Sequence, residues 1–254
     1  MDIFQAVIIG IIEGFTEFLP ISSTGHMIVA SEFLGIEQSA VVKAYEVIIQ
    51  FAAILAVMLL YREKINLREI ELWKKIVTAF LPLAVVGFLL KDIIKEIFTV
   101  DTVACMFIIG GIIFIIVEQF HKDEAKESQD IGEVTWTQAL WIGFGQIFSL
   151  VPGTSRAGST IIAGMLSGVS RKASTEFSFL LAIPVMMAVS GYDLLKHYKD
   201  FIGADLTAFA VGFMVAFVVA YATIKLFIVF LQRFTFVAFG IYRIVFGVIL
   251  LMIV

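Results

Sequence analysis

The sequence predicts an all-α polytopic integral membrane protein. Two inverted-topology repeats make it up, each a re-entrant helix pair followed by three transmembrane helices. Composition is the first reason: the 254 residues are 60% hydrophobic and only 16% charged, with a mean hydropathy of +1.01. A soluble domain is about half apolar and about a quarter charged. Run length is the second. Several apolar stretches approach or exceed the roughly 20 residues that a spanning helix needs, and they are continuous, whereas barrel strands alternate with period two. The third reason is that the order of elements occurs twice along the chain.

Residues 4–19 are apolar but would make a helix only about 24 Å long. Pro20 follows, and the chain returns through 26–34, so this unit reads as re-entrant. Broken backbone at membrane depth persists only where protein or a water-filled cavity covers it. Three spans are expected at 41–61, 76–90 (with Pro82 inside) and 102–120, separated by the charged connection 62–75 and the polar stretch 91–101. Residues 136–150, the Pro152 break and 155–166 then mirror the re-entrant unit, and 176–192, 206–231 and 236–254 mirror the spans. Pro20 and Pro152 lie 132 residues apart; at that spacing Ser22 faces Thr154, Ser23 faces Ser155 and Thr24 faces Arg156. The whole is a single membrane domain: residues 1–120 form the first repeat, 121–135 a hydrophilic connecting loop and 136–254 the second repeat. An odd number of spans per repeat requires the halves to insert in opposite directions, which places the paired broken helices near the midplane.

Charge fixes the expected orientation. Arg62, Lys64, Arg68, Lys74, Lys75, Lys122, Lys126, Arg171, Lys172 and Arg233 fall on one side, and Lys43, Lys91, Lys95, Lys196 and Lys199 on the other. The positive-inside rule makes the first side cytoplasmic and sets both termini outside. The net charge of −4 identifies no partner. No basic patch with interleaved aromatics argues for nucleic acid, and no Cys/His cluster argues for zinc. Cys105, the single cysteine, stands in an apolar run and is expected to be a small buried residue. The N-terminus shows no basic region followed by a cleavage site, so no removable signal peptide is expected.

The first chemical constellation is E-G-F-T-E-F-L-P-I-S-S-T-G-H, Glu13 to His26. Glu13 and Glu17 are four apart and share a helix face. Pro20 breaks that helix or sets the start of the next, and Ser22 and Ser23 stand where they could cap it. Hydroxyls beside a proline in a membrane helix can be packing and backbone repair alone. Two acids and an imidazole are different, because ionisable groups in an apolar segment cost roughly 2.5–3.5 kcal/mol each on insertion scales and persist where they face a cavity. Glu46 and Gln50, again four apart, are expected to support this site.

The second constellation is P-G-T-S-R-A-G-S, Pro152 to Ser159. A small, hydroxyl-rich break opening into a helix offers free N–H groups and a dipole to an anion. Thr154 and Ser155 add hydroxyls, and Arg156 adds a planar fork suited to phosphate oxygens. Neutralising Glu13 or Glu17 across the bundle is the alternative role for Arg156. The spacing is not that of a Walker loop. Carboxylates beside a phosphate call for an intervening cation, and Mg²⁺ is commonly held by one or two carboxylates plus substrate phosphates.

These stretches, with E-F-S-F-L-L-A-I-P at 176–184, resemble the undecaprenyl-diphosphate phosphatase family, also called bacitracin-resistance proteins, over nearly the whole chain. The resemblance implies hydrolysis of a C55 isoprenyl diphosphate to the monophosphate carrier lipid of peptidoglycan synthesis. It implies dependence on Mg²⁺ or Ca²⁺, and a multi-pass protein of the bacterial inner membrane whose site opens to the outer face. The family's functional positions fall on Glu13, Glu17, Ser23, Thr24, His26, Ser155 and Arg156. Glu13 and Glu17 are expected to hold the metal or act as base; Ser22, Thr24, Thr154, Ser155 and Arg156 are expected to bind substrate. Ser23 as nucleophile with His26 as its base is the preferred arrangement, with a metal-activated water as its rival. The membrane acid-phosphatase type shares a similar S-G-H and S-R but needs a histidine six residues after the arginine, where this chain has Ile162. The expected partners are the lipid diphosphate and the bilayer, with a homodimer admissible. A membrane transporter or polyprenyl-phosphate flippase of inverted-repeat type is the alternative reading.

Overall fold

The computed structural model describes residues 1–37, 39–121, 130–197 and 206–253. Among these the regular structure is helical throughout. Most of the expected connecting loop, with Lys122 and Lys126, lies outside the described residues, as does Lys199.

The first helix–break–helix unit is α1 (Ile3–Thr16) and α2 (Ser23–Phe33). Asp2 and Gln5 form a reciprocal capping box at the start of α1. The spans α3 (Ala40–Leu60), α4 (Ile70–Leu89) and α6 (Val100–Phe120) follow, with a short α5 (Lys91–Glu96) inside the stretch expected to be only polar connection. The second unit is α7 (Trp136–Gln146), a 3-10 turn at Ile147–Leu150, and α8 (Arg156–Leu166). Then come α9 (Arg171–His197), α10 (Leu206–Leu231) and α11 (Val237–Ile253).

Five of the six expected spans are long and apolar enough to cross a membrane; α11, with 17 residues, stands at the lower limit of length. Helix α4 starts inside the expected charged connection. Its buried Leu72 and Ile76 are four apart and continue into Ala79 and Leu83, while Lys74 and Glu71 pair on the outer side. Large side chains such as Phe4, Phe88, Phe120 and Leu226 face outward, as lipid contact requires. Cys105 does the same: it is exposed on α6 rather than buried, because Ala104 and Val103 take the inward positions of that turn.

Helix α1 packs on α10, α10 on α3, and α3 on α9; α4 packs on α7 and α9, and α6 on α11. Exchanging α1, α3, α4 and α6 for α7, α9, α10 and α11 reproduces these pairings. Small residues set the closest contacts, as between membrane helices generally. A Cβ on Gly14 would lie 2.6 Å from the Ala216 carbonyl oxygen of α10, and one on Gly143 2.5 Å from the Ala79 carbonyl oxygen of α4.

Several of the cation-bearing loops meet one another. Lys64 reaches Asp130 (3.4 Å) and Lys75 donates to the Gly132 carbonyl (3.0 Å). Arg171 holds Glu118 through two N–H groups at 2.9 and 2.8 Å, and Glu118 also accepts the Phe236 N–H. Segments from the cation-rich set of loops thus gather at one end of the bundle.

Candidate functional site

Helix α1 ends at Thr16, a turn before Pro20, with Glu17 as its cap. The break therefore starts earlier than the proline. Each break then passes through a serine in the left-handed region: Ser22 at φ 68° and Ser155 at φ 74°. They are the only non-glycine residues with positive φ among those described. Such a conformation costs on the order of 1–3 kcal/mol and persists only where the surroundings hold it. Ser22 and Ser155 are the residues before α2 and α8, which are both 11 residues long. The structural match therefore runs one residue further than the proline spacing: Ser22 matches Ser155, and Ser23 rather than Thr24 matches Arg156. Capping differs between them. Ser155 Oγ accepts the Gly158 N–H at 3.1 Å, whereas the Ser22 side chain makes no cap bond, contrary to the expectation. Gly153, at φ +89°, sits so close to α6 that a Cβ there would lie 2.5 Å from the Val103 carbonyl oxygen.

Both breaks line one cavity of about 240 Å³. Glu17, Ser22, Ser23 and Thr24 come from the first, Gly153, Ser155 and Arg156 from the second, and Gln50 from α3. The first turns of α2 and α8 bring N–H groups that have no intrahelical acceptor. Apart from Ser149 the remaining wall is apolar, with Leu83, Phe98, Leu150, Val185, Met186 and Val189. Ser23 Oγ donates to Glu17 Oε2 at 2.6 Å, and Arg156 Nη2 donates to Glu17 Oε1 at 2.9 Å. Arg156 Nη1 donates to the Ser178 carbonyl at 3.0 Å, and its buried Nε has no hydrogen-bond partner. Glu17 is thus clamped between a hydroxyl and a guanidinium.

Three sequence candidates stand apart from this cavity. Glu13 is fully buried behind it, and neither carboxylate oxygen has a hydrogen-bond partner. Glu17, Glu46 and Arg156 all lie near enough to act on Glu13 electrostatically. Thr154 Oγ1 is buried and unpartnered and does not line the cavity. His26 turns the other way. Its Nδ1 lies 2.7 Å from the Ser22 carbonyl oxygen and its Nε2 2.6 Å from the Tyr242 hydroxyl. A carbonyl only accepts, so Nδ1 carries the proton and Nε2 of the neutral ring accepts from Tyr242. The ring stacks on Phe246 at 4.6 Å and borders a separate apolar groove of about 560 Å³ between α1, α2 and α11. The expected Ser23–His26 pair is therefore corrected: α11 aromatics hold the imidazole, and the group on Ser23 is Glu17. Of the two residues expected to support the site, Gln50 lines the cavity directly and Glu46 is half-buried near Glu13.

The sequence reading passed over Arg243. It is fully buried and donates to four main-chain carbonyls, those of Pro20, Gly153, Met106 and Phe107. The signal was there: a lone cation in the apolar run G-I-Y-R-I-V-F of α11.

The model of the bacitracin resistance protein BacA family matches residues 6–249. The chain is 71% identical to an undecaprenyl-diphosphatase of Sulfurovum sp. (strain NBC37-1), over 100% of both chains. It is 61% identical to an undecaprenyl-diphosphatase of Sulfurimonas denitrificans, with 99% of each chain covered. It is 50% identical to an undecaprenyl-diphosphatase of Methanococcus aeolicus, over 99% of this chain and 98% of that one.

Proposed function

The chain belongs to the bacitracin resistance protein BacA family, and on that premise we propose that it hydrolyses undecaprenyl diphosphate to undecaprenyl phosphate and inorganic phosphate. It is a membrane-embedded phosphoric anhydride hydrolase. One observation carries the reading of the site: the first turns of α2 and α8, Arg156, and the Ser23–Glu17 pair converge on a single polar cavity whose other wall is apolar. That is the chemistry a diphosphate head on an isoprenyl tail requires.

In this reading the helix N-termini and Arg156 bind the diphosphate oxygens and stabilise the charge that develops on them. Glu17 takes the Ser23 proton while Ser23 Oγ attacks the terminal phosphorus. The bond to the bridging oxygen breaks, the lipid monophosphate leaves, and water then releases phosphate from the serine. Thr24, Ser22 and Ser155 border the same space. His26 sets the start of α2 through the Ser22 carbonyl rather than moving the serine proton.

The residues also suit a hard divalent cation such as Mg²⁺ or Ca²⁺. Glu13 presents two buried oxygens without partners beside Glu17. The described residues contain no cluster of three or more His, Cys, Asp or Glu positioned for a metal, but a cation shared with substrate phosphates needs only one or two carboxylates. Glu13 and Glu17 would hold it, and it would neutralise charge on the phosphoryl oxygens.

The halves are read as oppositely inserted, which the exchange symmetry of the helix pairings supports. Phe98 and Val189 of the cavity wall lie away from the cation-rich end, which supports a cavity opening to the outer face of the inner membrane. The test is phosphate release from undecaprenyl diphosphate by the purified protein in detergent, with Mg²⁺ or Ca²⁺ added. No release with any divalent cation would overturn hydrolysis and leave carrier-lipid transport, read in sealed vesicles.

A further inference from the structure

We infer that Arg243 is the positioning residue that locks the two substrate-binding breaks in register with each other. Its Nη1 donates to the Pro20 carbonyl at 3.0 Å and its Nη2 to the Gly153 carbonyl at 3.0 Å. Pro20 belongs to the first break and Gly153 to the second, and no other side chain among the described residues is recorded bonding to main chain in both. The guanidinium also grips α6, through the Met106 carbonyl at 2.9 Å and the Phe107 carbonyl at 3.4 Å. It faces the Phe107 ring with 5.2 Å between guanidinium carbon and ring centre. Among the described residues no carboxylate pairs with it, and its hydrogen-bond acceptors are backbone carbonyls.

A second observation points the same way. Gly110 of α6 leaves the room in which the guanidinium sits: a Cβ there would collide with Nη2 and the guanidinium carbon. Gly153 likewise lies against the α6 backbone at Val103. Helix α6, the second break and the Arg243 fork thus form one packed unit to which the first break is tied. The breaks themselves lie outside the regular helices and each holds a serine with positive φ. Their relative placement decides whether the α2 and α8 N-termini aim at the same phosphate group. Arg243 does not line the cavity, so it acts through Pro20 and Gly153 and touches no substrate.

A planar fork can serve carbonyls on three separate segments at once; a lysine ammonium on a flexible stem cannot hold that geometry. Misplacement of about 1 Å can cost on the order of 10² in rate. Arg243→Lys should therefore lose at least about tenfold in kcat with a smaller change in KM, since the apolar wall that binds the tail is untouched. Gly110→Ala, which displaces the fork without removing it, should show the same split in milder form.

The inference rests on the phosphatase reading, so the experiment carries an arm that does not. Wild type, Arg243→Lys, Gly110→Ala and a core control, Ile224→Val on α10, are purified in detergent. Each is melted with and without methylenediphosphonate and divalent cation. Wild-type phosphate release establishes the parent reading by itself. The expected result is that the ligand raises the melting temperature of wild type and Ile224→Val, and that Arg243→Lys loses most of this shift while still melting cooperatively. If Arg243→Lys and Gly110→Ala keep the full ligand shift and a wild-type kcat, or lose activity only in step with unliganded stability as the control does, the positioning role is overturned. If wild type releases no phosphate but the ligand shift still depends on Arg243, the parent reading fails and the register lock stands.

Discussion

Replacing Arg156 separates charge from geometry at the centre of the cavity. The side chains of Arg156 and Glu17 are only 12% and 6% exposed, and their oxygen and nitrogen lie 2.9 Å apart. Arg156→Ala leaves the Glu17 carboxylate nearly buried with Ser23 as its recorded partner. Breaking one side of a buried pair typically costs about 3–5 kcal/mol. Arg156→Lys keeps the charge and can keep Glu17, but an ammonium cannot also reach the Ser178 carbonyl in the plane that Nη1 now uses. Ser178 lies inside α9, so its carbonyl keeps its helical N–H, and what is lost is one hydrogen bond from a charged donor, about 1.5–3 kcal/mol. The effect on turnover should be larger than stability predicts, because in the proposed mechanism the same fork meets the diphosphate. Losing one aimed donor at comparable sites costs on the order of 10²–10³ in kcat. Arg156→Lys should lose at least about tenfold and Arg156→Ala about a hundredfold or more. The assay is steady-state phosphate release at saturating divalent cation, with thermal melting of each variant alongside. An Arg156→Lys enzyme within about twofold of wild type would refute phosphate recognition by the fork and reduce Arg156 to the counter-charge of Glu17.

Ser23→Ala should abolish phosphate release by about a thousandfold or more if the serine carries the attack; near-wild-type turnover would instead assign the attack to water. Gly153→Ala should fold poorly or melt well below wild type, because the added methyl meets the Val103 carbonyl and the left-handed backbone resists a side chain; an unchanged melting curve would contradict the packing described. Asp130, outside the spans, has its carboxyl held below the usual range by the Gly132 N–H and then by Lys64. Its contribution is therefore present above the unfolded value of about 3.9 and is lost as pH falls through the lower folded value. Wild type should lose thermal stability more steeply than Asp130→Asn below about pH 4, and parallel pH profiles would remove that contact from the account.

Composition, with the length and continuity of the apolar runs, settled that the chain is helical and membrane-embedded, because no soluble core accommodates so continuous an apolar sequence and barrel strands would alternate. Motif spacing settled which residues are chemically unusual. Two carboxylates a turn apart before a proline, and an arginine just after a small-residue break, are each legible locally. The sequence could not say which of them meet. Glu17 and Arg156 are far apart in the chain and become a pair only when α1 and α8 reach the same depth in the bundle. His26 follows Ser23 by three residues, yet its side-chain partner is Tyr242 on the last helix, so proximity along the chain suggested a Ser23–His26 pairing that the structure does not contain. The one-residue shift between the breaks is set by where Ser22 and Ser155 turn left-handed, a backbone property that proline spacing does not encode. Arg243 shows the limit most plainly. Its four acceptors are main-chain carbonyls, which every residue possesses, so no side-chain pattern could mark them. Side-chain chemistry is written locally in the sequence; the depth at which two broken helices meet is decided only by how the whole bundle packs.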